Sequence, residues 1–226
     1  MKLGAAFWLE RTDWDSLREA IVSADAAGFD SLWFDDHLLS DEGDPDDPKL
    51  EGWTVASAAA AITERATIGH LVTANTFRSP GLLAKMATTL DHISGGRAVL
   101  GVGAGWFERE HEAFGLDFGA SPGERIERMG EAVSLVRRLL DGERVSHDGG
   151  FYRLIVPSAR RDRSGRACRC SLADPDPGER FRWSPGSPTR GTPMGRPKRS
   201  PPARPSWTSG AGRSGVRGLR SSARPR

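Results

Sequence analysis

Two short segments of this 226-residue chain have residue types suited to chemistry. Asp35-Asp36-His37 puts an imidazole beside carboxylates directly after an apolar run, a combination that can hold or move a proton near neutral pH. On its own, an Asp-His pair after a strand is more often a loop hydrogen-bonding pair. Gly101-x-Gly103-x-Gly105 follows another apolar run, and glycines let a main chain approach a ligand closely. This spacing is not the dinucleotide G-x-G-x-x-G, because Trp106 stands at the final glycine position and the segment lies in the fourth βα unit. Glu108-x-x-His111 has helical spacing, but a carboxylate-bridged metal centre needs two such pairs and two more carboxylates, so it reads as a solvated face. Cys168 and Cys170 are the only cysteines. One intervening residue is too tight for an ordinary disulfide and leaves no partners for zinc, so no metal is expected.

Those segments need elements to bring them together. Residues 2–7 form a short apolar run, read as a first strand. Leu17, Ala20, Ile21 and Ala24 recur at amphipathic helical spacing, with Asp13 able to cap the start and Gly28 suited to the end. A second strand follows over 30–34, then an Ala-rich helix over 53–63 and a third strand over 66–72. Ser79-Pro80 opens a helix whose buried stripe is Leu82, Leu83, Met86, Leu90 and Ile93, and Gly95-Gly96 stops it. The fourth strand spans 97–103. A helical stretch to Phe114, a long helix over 122–140 and a hairpin turning at Asp148-Gly149-Gly150 complete the pattern. Alternating strands and helices imply a parallel sheet with right-handed crossovers, either a doubly wound sheet or a (β/α)8 barrel. Periodicity does not separate the two. In both, ligands bind at the C-terminal strand ends, where the polar and glycine-rich loops after strands two, three and four converge. Trp33 and Phe34 read as packing residues, His70 and His92 as structural, and Trp53, at a helix start facing the loop after strand two, as either a packing residue or a substrate contact.

The charge is divided. Residues 1–156 carry 15 Lys+Arg against 26 Asp+Glu, net −11, and residues 157–226 carry 17 against 4, net +13. Eleven of the fifteen prolines fall from Pro157 onward, among Arg, Ser and Gly. The expectation is one domain over 1–156 and a disordered basic tail over 157–226.

Three segments carry a family likeness. Ala27-Gly28-Phe29-Asp30-Ser31-Leu32-Trp33-Phe34-Asp35-Asp36-His37-Leu38 resembles the second strand of the luciferase-like monooxygenases, TIM-barrel enzymes that use FMN or the deazaflavin coenzyme F420. Thr67 through Pro80 is similar to the family's third strand and loop. Leu90-Asp91-His92-Ile93-Ser94-Gly95-Gly96-Arg97, with Gly101 through Trp106, is similar to its fourth. Together with Leu50-Glu51-Gly52-Trp53, the wording is most similar to the F420-dependent branch. The resemblance implies the N-terminal half of a (β/α)8 TIM barrel, about four βα units plus a hairpin. It also implies an oxidoreductase moving a hydride between F420, or alternatively FMN, and a small organic substrate. Asp36 and His37 would lie beside the coenzyme ring, with His37 as the catalytic candidate. Leu71-Val72 would be the family's non-prolyl cis peptide, bulging the backbone toward the ring. Asn75, Gly103, Ala104 and Gly105 would line the same pocket. Trp106 occupies a position where some deazaflavin enzymes have a catalytic Glu, so that acid does not transfer and the proton donor stays unassigned.

Such barrels continue with strands five to eight, whereas Arg160-Arg161, Arg163 and the residues after them show little apolar periodicity. The tail reads as a GC-rich coding region translated out of frame. The expectation is therefore a frameshifted or truncated product with open strand edges, no phosphate subsite after strands seven and eight, and weak or no coenzyme binding. Pairing with a second copy is one way for a half-barrel to complete itself. The alternative function is a non-catalytic protein whose basic tail binds nucleic acid or an acidic partner. Phe181, Trp183 and Trp207 form no regular aromatic–basic repeat, which argues against a nucleic-acid partner. The longest mainly apolar stretch, 55–62, is eight residues and contains Ser57, against about 20 needed to span a bilayer. With no signal-peptide pattern at residues 1–10, a cytoplasmic protein without a membrane span is expected.

Overall fold

The computed structural model describes residues 1–156 other than 42 and 45, together with the backbone of 171–173. Strand β1 (Gly4–Phe7) leads into helix α1 (Trp14–Ala27), whose first turn is capped by Asp13 accepting from the Ser16 N–H at 2.8 Å. Strand β2 (Ser31–Phe34) is followed by α2 (Gly52–Ile62), where Glu51 accepts from the Trp53 and Thr54 N–H groups. The third strand is split into β3 (Thr67–His70) and β4 (Thr73–Ala74). After a short 3-10 turn comes α3 (Pro80–Ile93), capped by Ser79 with proline in its first turn, where the missing N–H costs nothing. Strand β5 (Ala98–Gly103), α4 (Glu108–Phe114) and α5 (Pro122–Leu140) complete the α/β part. β6 (Val145–Asp148) and β7 (Arg153–Val156) form an antiparallel hairpin, and β8 (Ser171–Ala173) follows.

Strand order decides between the two architectures left open by periodicity. β1, β2, β3 and β5 lie side by side in sequence order, all parallel, with Leu32 opposite Ala5 and Ile68. A doubly wound sheet reverses direction at a switch point, and this one does not. It is a partial TIM barrel. β8 pairs with the far edge of β5, Leu172 opposite Leu100, where a fifth barrel strand belongs. The sequence reading placed that segment inside the tail. Every other residue of 157–226, both cysteines included, lies outside the described residues.

Between sheet and helices, Leu32, Ile68 and Leu100 meet Ile21, Ala59, Leu83 and Leu90, all essentially fully buried. Helix α3 buries Leu83, Ala84, Ala87 and Leu90, while Leu82 and Ile93, expected in the stripe, are exposed. The buried face is thus rotated by about one residue, because α3 is held by α5 as well as by α2 and the sheet.

The N-terminal ends of the strands are held by a polar staple. Asp25, on the last turn of α1, accepts from the N–H groups of Glu64, Arg65 and Ala66 at 2.9, 3.3 and 2.8 Å. Burial opposes its charge, but the three N–H donors and the nearby Arg97 hold its carboxyl below the ordinary value. Arg97 donates to the carbonyls of Ser94, Ala66, Ala60 and Thr63 and to Thr63 Oγ1, at 2.7–3.1 Å. No helix among the described residues is long and apolar enough to cross a membrane.

Candidate functional site at the C-terminal strand ends

The loops after β2, β4 and β5 meet at one end of the sheet. Asp36, just past β2, is almost fully buried and accepts from Arg78 Nη1 and Nη2 at 2.6 and 2.9 Å and from the Ala74 N–H at 2.8 Å. Burial pushes its carboxyl up, against the pull of the guanidinium and that N–H. Both carboxylate oxygens are committed to protein partners, so Asp36 works as a tie between two loops. Beside it, Asp35 pairs with the buried Lys49 at 3.0 Å, which pins the polar loop after β2.

The peptide between Leu71 and Val72 is cis, at the position the resemblance assigned. β4 then pairs with β5, Thr73 opposite Val102 and Ala74 opposite Gly103. A side chain at Gly101 would strike the His70 carbonyl oxygen, and one at Gly103 would come within 2.6 Å of Val72 Cγ2. These glycines have a structural reason before any ligand is considered: they let the neighbouring strand approach. Gly105 has φ 84°, a left-handed conformation that favours glycine, and its carbonyl accepts from Arg125 Nε at 3.0 Å.

His37 projects from the loop after β2 and is 21% exposed. Its Nδ1 lies 3.1 and 3.2 Å from the two oxygens of Glu110, a carboxylate that is 2% exposed. Glu110 also accepts from the Leu38 N–H at 2.9 Å. On the other side, His37 Nε2 is 3.8 Å from Asp41 Oδ2. Burial opposes the imidazolium, but Glu110, Asp41 and Asp35 outweigh it and raise the His37 pKa above its ordinary value. The ring meets Trp106 and Phe107 edge-on, with centroids 5.5 and 6.0 Å apart.

Neighbouring groups hold this arrangement. His111 is fully buried: its Nδ1 donates to the Phe107 carbonyl at 2.7 Å, which leaves Nε2 to accept from the Thr76 hydroxyl at 2.6 Å. Asn75 Nδ2 donates to the Tyr152 hydroxyl at 3.0 Å, so the β6–β7 hairpin reaches the mouth. Glu131 on α5 locks that hairpin by accepting from His147 Nε2 and from the Phe151 and Tyr152 N–H groups. Below the mouth His70 stacks on Trp53 at 4.4 Å, and burial lowers its pKa to about 4, so it is neutral at physiological pH.

The structure thus brings Asp36, His37, Leu71, Val72, Asn75, Gly103, Ala104 and Gly105 to one end of the sheet. Sequence reasoning missed Lys49, Thr76, Arg78, Glu110, His111 and Tyr152. Glu110 and His111 belong to the stretch read as a solvated face; in fact only Glu108, Arg109 and Glu112 of that stretch are exposed. Nothing in local spacing shows that Glu110 meets a histidine 73 residues away.

Leu71 and Trp106 present apolar surface, 55% and 63% exposed, and the Trp106 ring lies 5.5 Å from that of His37. Thr73, directly after the cis peptide, is fully buried with its Oγ1 unpaired among the described residues.

A family model described as Luciferase-like monooxygenase matches residues 4–169. The chain belongs to this family. It is 39% identical over 135 residues to an F420-dependent glucose-6-phosphate dehydrogenase of Microbacterium testaceum, covering 58% of this chain and 38% of that protein. It is 31% identical over 156 residues to a 5,10-methylenetetrahydromethanopterin reductase of Archaeoglobus fulgidus, covering 68% of this chain and 42% of that one. An F420-dependent secondary alcohol dehydrogenase solved with an F420–acetone adduct superimposes with TM-score 0.60 at 27% identity, over 68% of this chain and 46% of that one. This luciferase-like chain therefore spans less than half the length of these relatives.

Proposed function

We propose that the mouth holds the ring of a flavin-type coenzyme, F420 in preference to FMN, for hydride exchange with a small organic substrate. The observation that carries this reading is the His37 imidazole, held by Glu110 and 5.5 Å from the exposed Trp106 ring, at the end of the sheet where Leu71 is also exposed. F420-dependent relatives support the choice of coenzyme. When bound, a deazaflavin supplies a hydride donor or acceptor. The protein's part is to position and to stabilise charge. His37, whose pKa is raised above its ordinary value in spite of burial, favours negative charge at a ligand's polar edge when protonated and then keeps a proton at Nε2. Leu71 and Trp106 exclude water from the faces of a ring. The Asp36–Arg78 tie fixes the loop from which His37 projects, and Asn75 is steadied by Tyr152. We assign no role to a nucleic acid, and the tail lies outside the argument for the site.

The test is titration of deazaflavin fluorescence with the full chain. Saturable but weak quenching is expected, with affinity poorer than micromolar and falling about a further tenfold, or about 1.4 kcal/mol, in His37→Gln. No saturable quenching by the folded chain would overturn the reading, and FMN displacing the deazaflavin at equal concentration would move it to FMN. The same titration examines the expectation of impaired binding, which an affinity of micromolar or tighter would contradict.

A further inference from the structure

Three features of the mouth set the state of one side chain. Glu110 sits in α4, buried to 2% exposure, and does two things there: it accepts the Leu38 N–H at 2.9 Å and meets His37 Nδ1 with both oxygens. The aromatic edges of Trp106 and Phe107 close the sides of the imidazole. Asp41 lies beyond hydrogen-bond length from Nε2, and Asp35 on the same loop is paired with Lys49.

We propose that Glu110 is a positioning residue for His37, fixing the proton on Nδ1 and thereby leaving Nε2 as the nitrogen that exchanges protons with a ligand. The assignment rests on the reading of the mouth as a coenzyme site only for what the ligand is; the His37–Glu110 relation is a property of the free protein. Its logic is geometric. A carboxylate is an acceptor only, so the nitrogen facing it carries hydrogen in both the neutral and the cationic ring. The Leu38 N–H fixes the carboxylate in turn, so the ring cannot flip without breaking two contacts. Asp41 is 18% exposed and 3.8 Å away, so it modulates the ring charge without orienting it. The groups that face His37 with charge are thus Glu110 from α4 and Asp41 and Asp35 from its own loop, and all three favour the cation. This also supplies a proton-holding group in a mouth where position 106 is Trp.

The experiment is an NMR titration of the histidine rings in the full chain without coenzyme, with His37→Gln assigning the His37 signal. In Glu110→Gln the His37 pKa is expected to fall by about one unit or more, with a smaller fall in Asp41→Asn. In Glu110→Asp, which keeps the charge, part of the elevation should return. A His37 pKa unchanged in folded Glu110→Gln would overturn the proposal. If that variant does not fold, long-range nitrogen–proton correlation on the wild type decides instead: above the His37 pKa, hydrogen on Nδ1 supports the assignment and hydrogen on Nε2 contradicts it. Loss of coenzyme binding leaves every one of these readings unaltered, so failure of the coenzyme site and failure of the Glu110 assignment are separable.

Discussion

The two ends of the sheet both bury ionised groups, and they use them differently. At the N-terminal ends, Asp25 and Arg97 bond chiefly to backbone groups in and around the turns entering β3 and β5. At the C-terminal ends, Asp36 and Glu110 bind side chains from other loops, Arg78 and His37, and the surrounding apolar groups Leu71 and Trp106 stay exposed. A carboxylate or guanidinium saturated by backbone can only hold shape. One that faces a titratable ring beside exposed apolar surface can also respond to a ligand. This is the division of labour expected of a barrel, with stability at one face and chemistry at the other.

That contrast can be broken most forcefully at Arg78. Arg78→Leu strands the Asp36 carboxylate in a buried place, and breaking such a pair costs about 3–5 kcal/mol. Urea denaturation should show that loss, and coenzyme binding should go with it because the His37 loop is freed. Arg97→Ala is the matched change at the opposite end. Leaving buried carbonyls unpaired costs about 1–3 kcal/mol for the first of them, with partial compensation by water for the others. Stability should fall in denaturation, whereas affinity per folded molecule should stay at the wild-type value. An Arg97 variant that loses coenzyme affinity while folded would erase the distinction between the faces.

Smaller effects come from pH, with opposite signs at the two ends. Asp25 has a depressed folded pKa, so its contribution is present above its unfolded value of about 3.9 and is lost as pH falls through the folded value. His37 has a raised folded pKa, so its contribution is complete below about 6.5 and is lost as pH rises through the folded value. In stability–pH curves, Asp25→Asn should flatten the acid limb only and His37→Gln the limb above about pH 6.5 only.

The fold was legible where local rules act. The caps at Asp13 and Ser79, the stop at Gly28 and the strand over 98–103 follow from side-chain chemistry and spacing near in sequence. Strand order, and with it barrel against doubly wound sheet, is a long-range property that came only from the resemblance. Of the site, Asp36, His37 and the cis peptide at Leu71–Val72 stood in recognisable segments. Their partners did not: Glu110 is 73 residues from His37, and Tyr152 is 77 from Asn75. Glycines 101 and 103 show the opposite limit, since a spacing that suggested ligand approach also serves the fit of β5 against its neighbour.

The most direct test is to map the backbone amide shifts of the full chain as deazaflavin is added. The account predicts changes at His37, Leu71, Asn75 and Gly105, with Asp25, Ala66 and Arg97 unmoved. Shifts concentrated at the Asp25–Arg97 end, or a silent mouth during saturable binding, would contradict it.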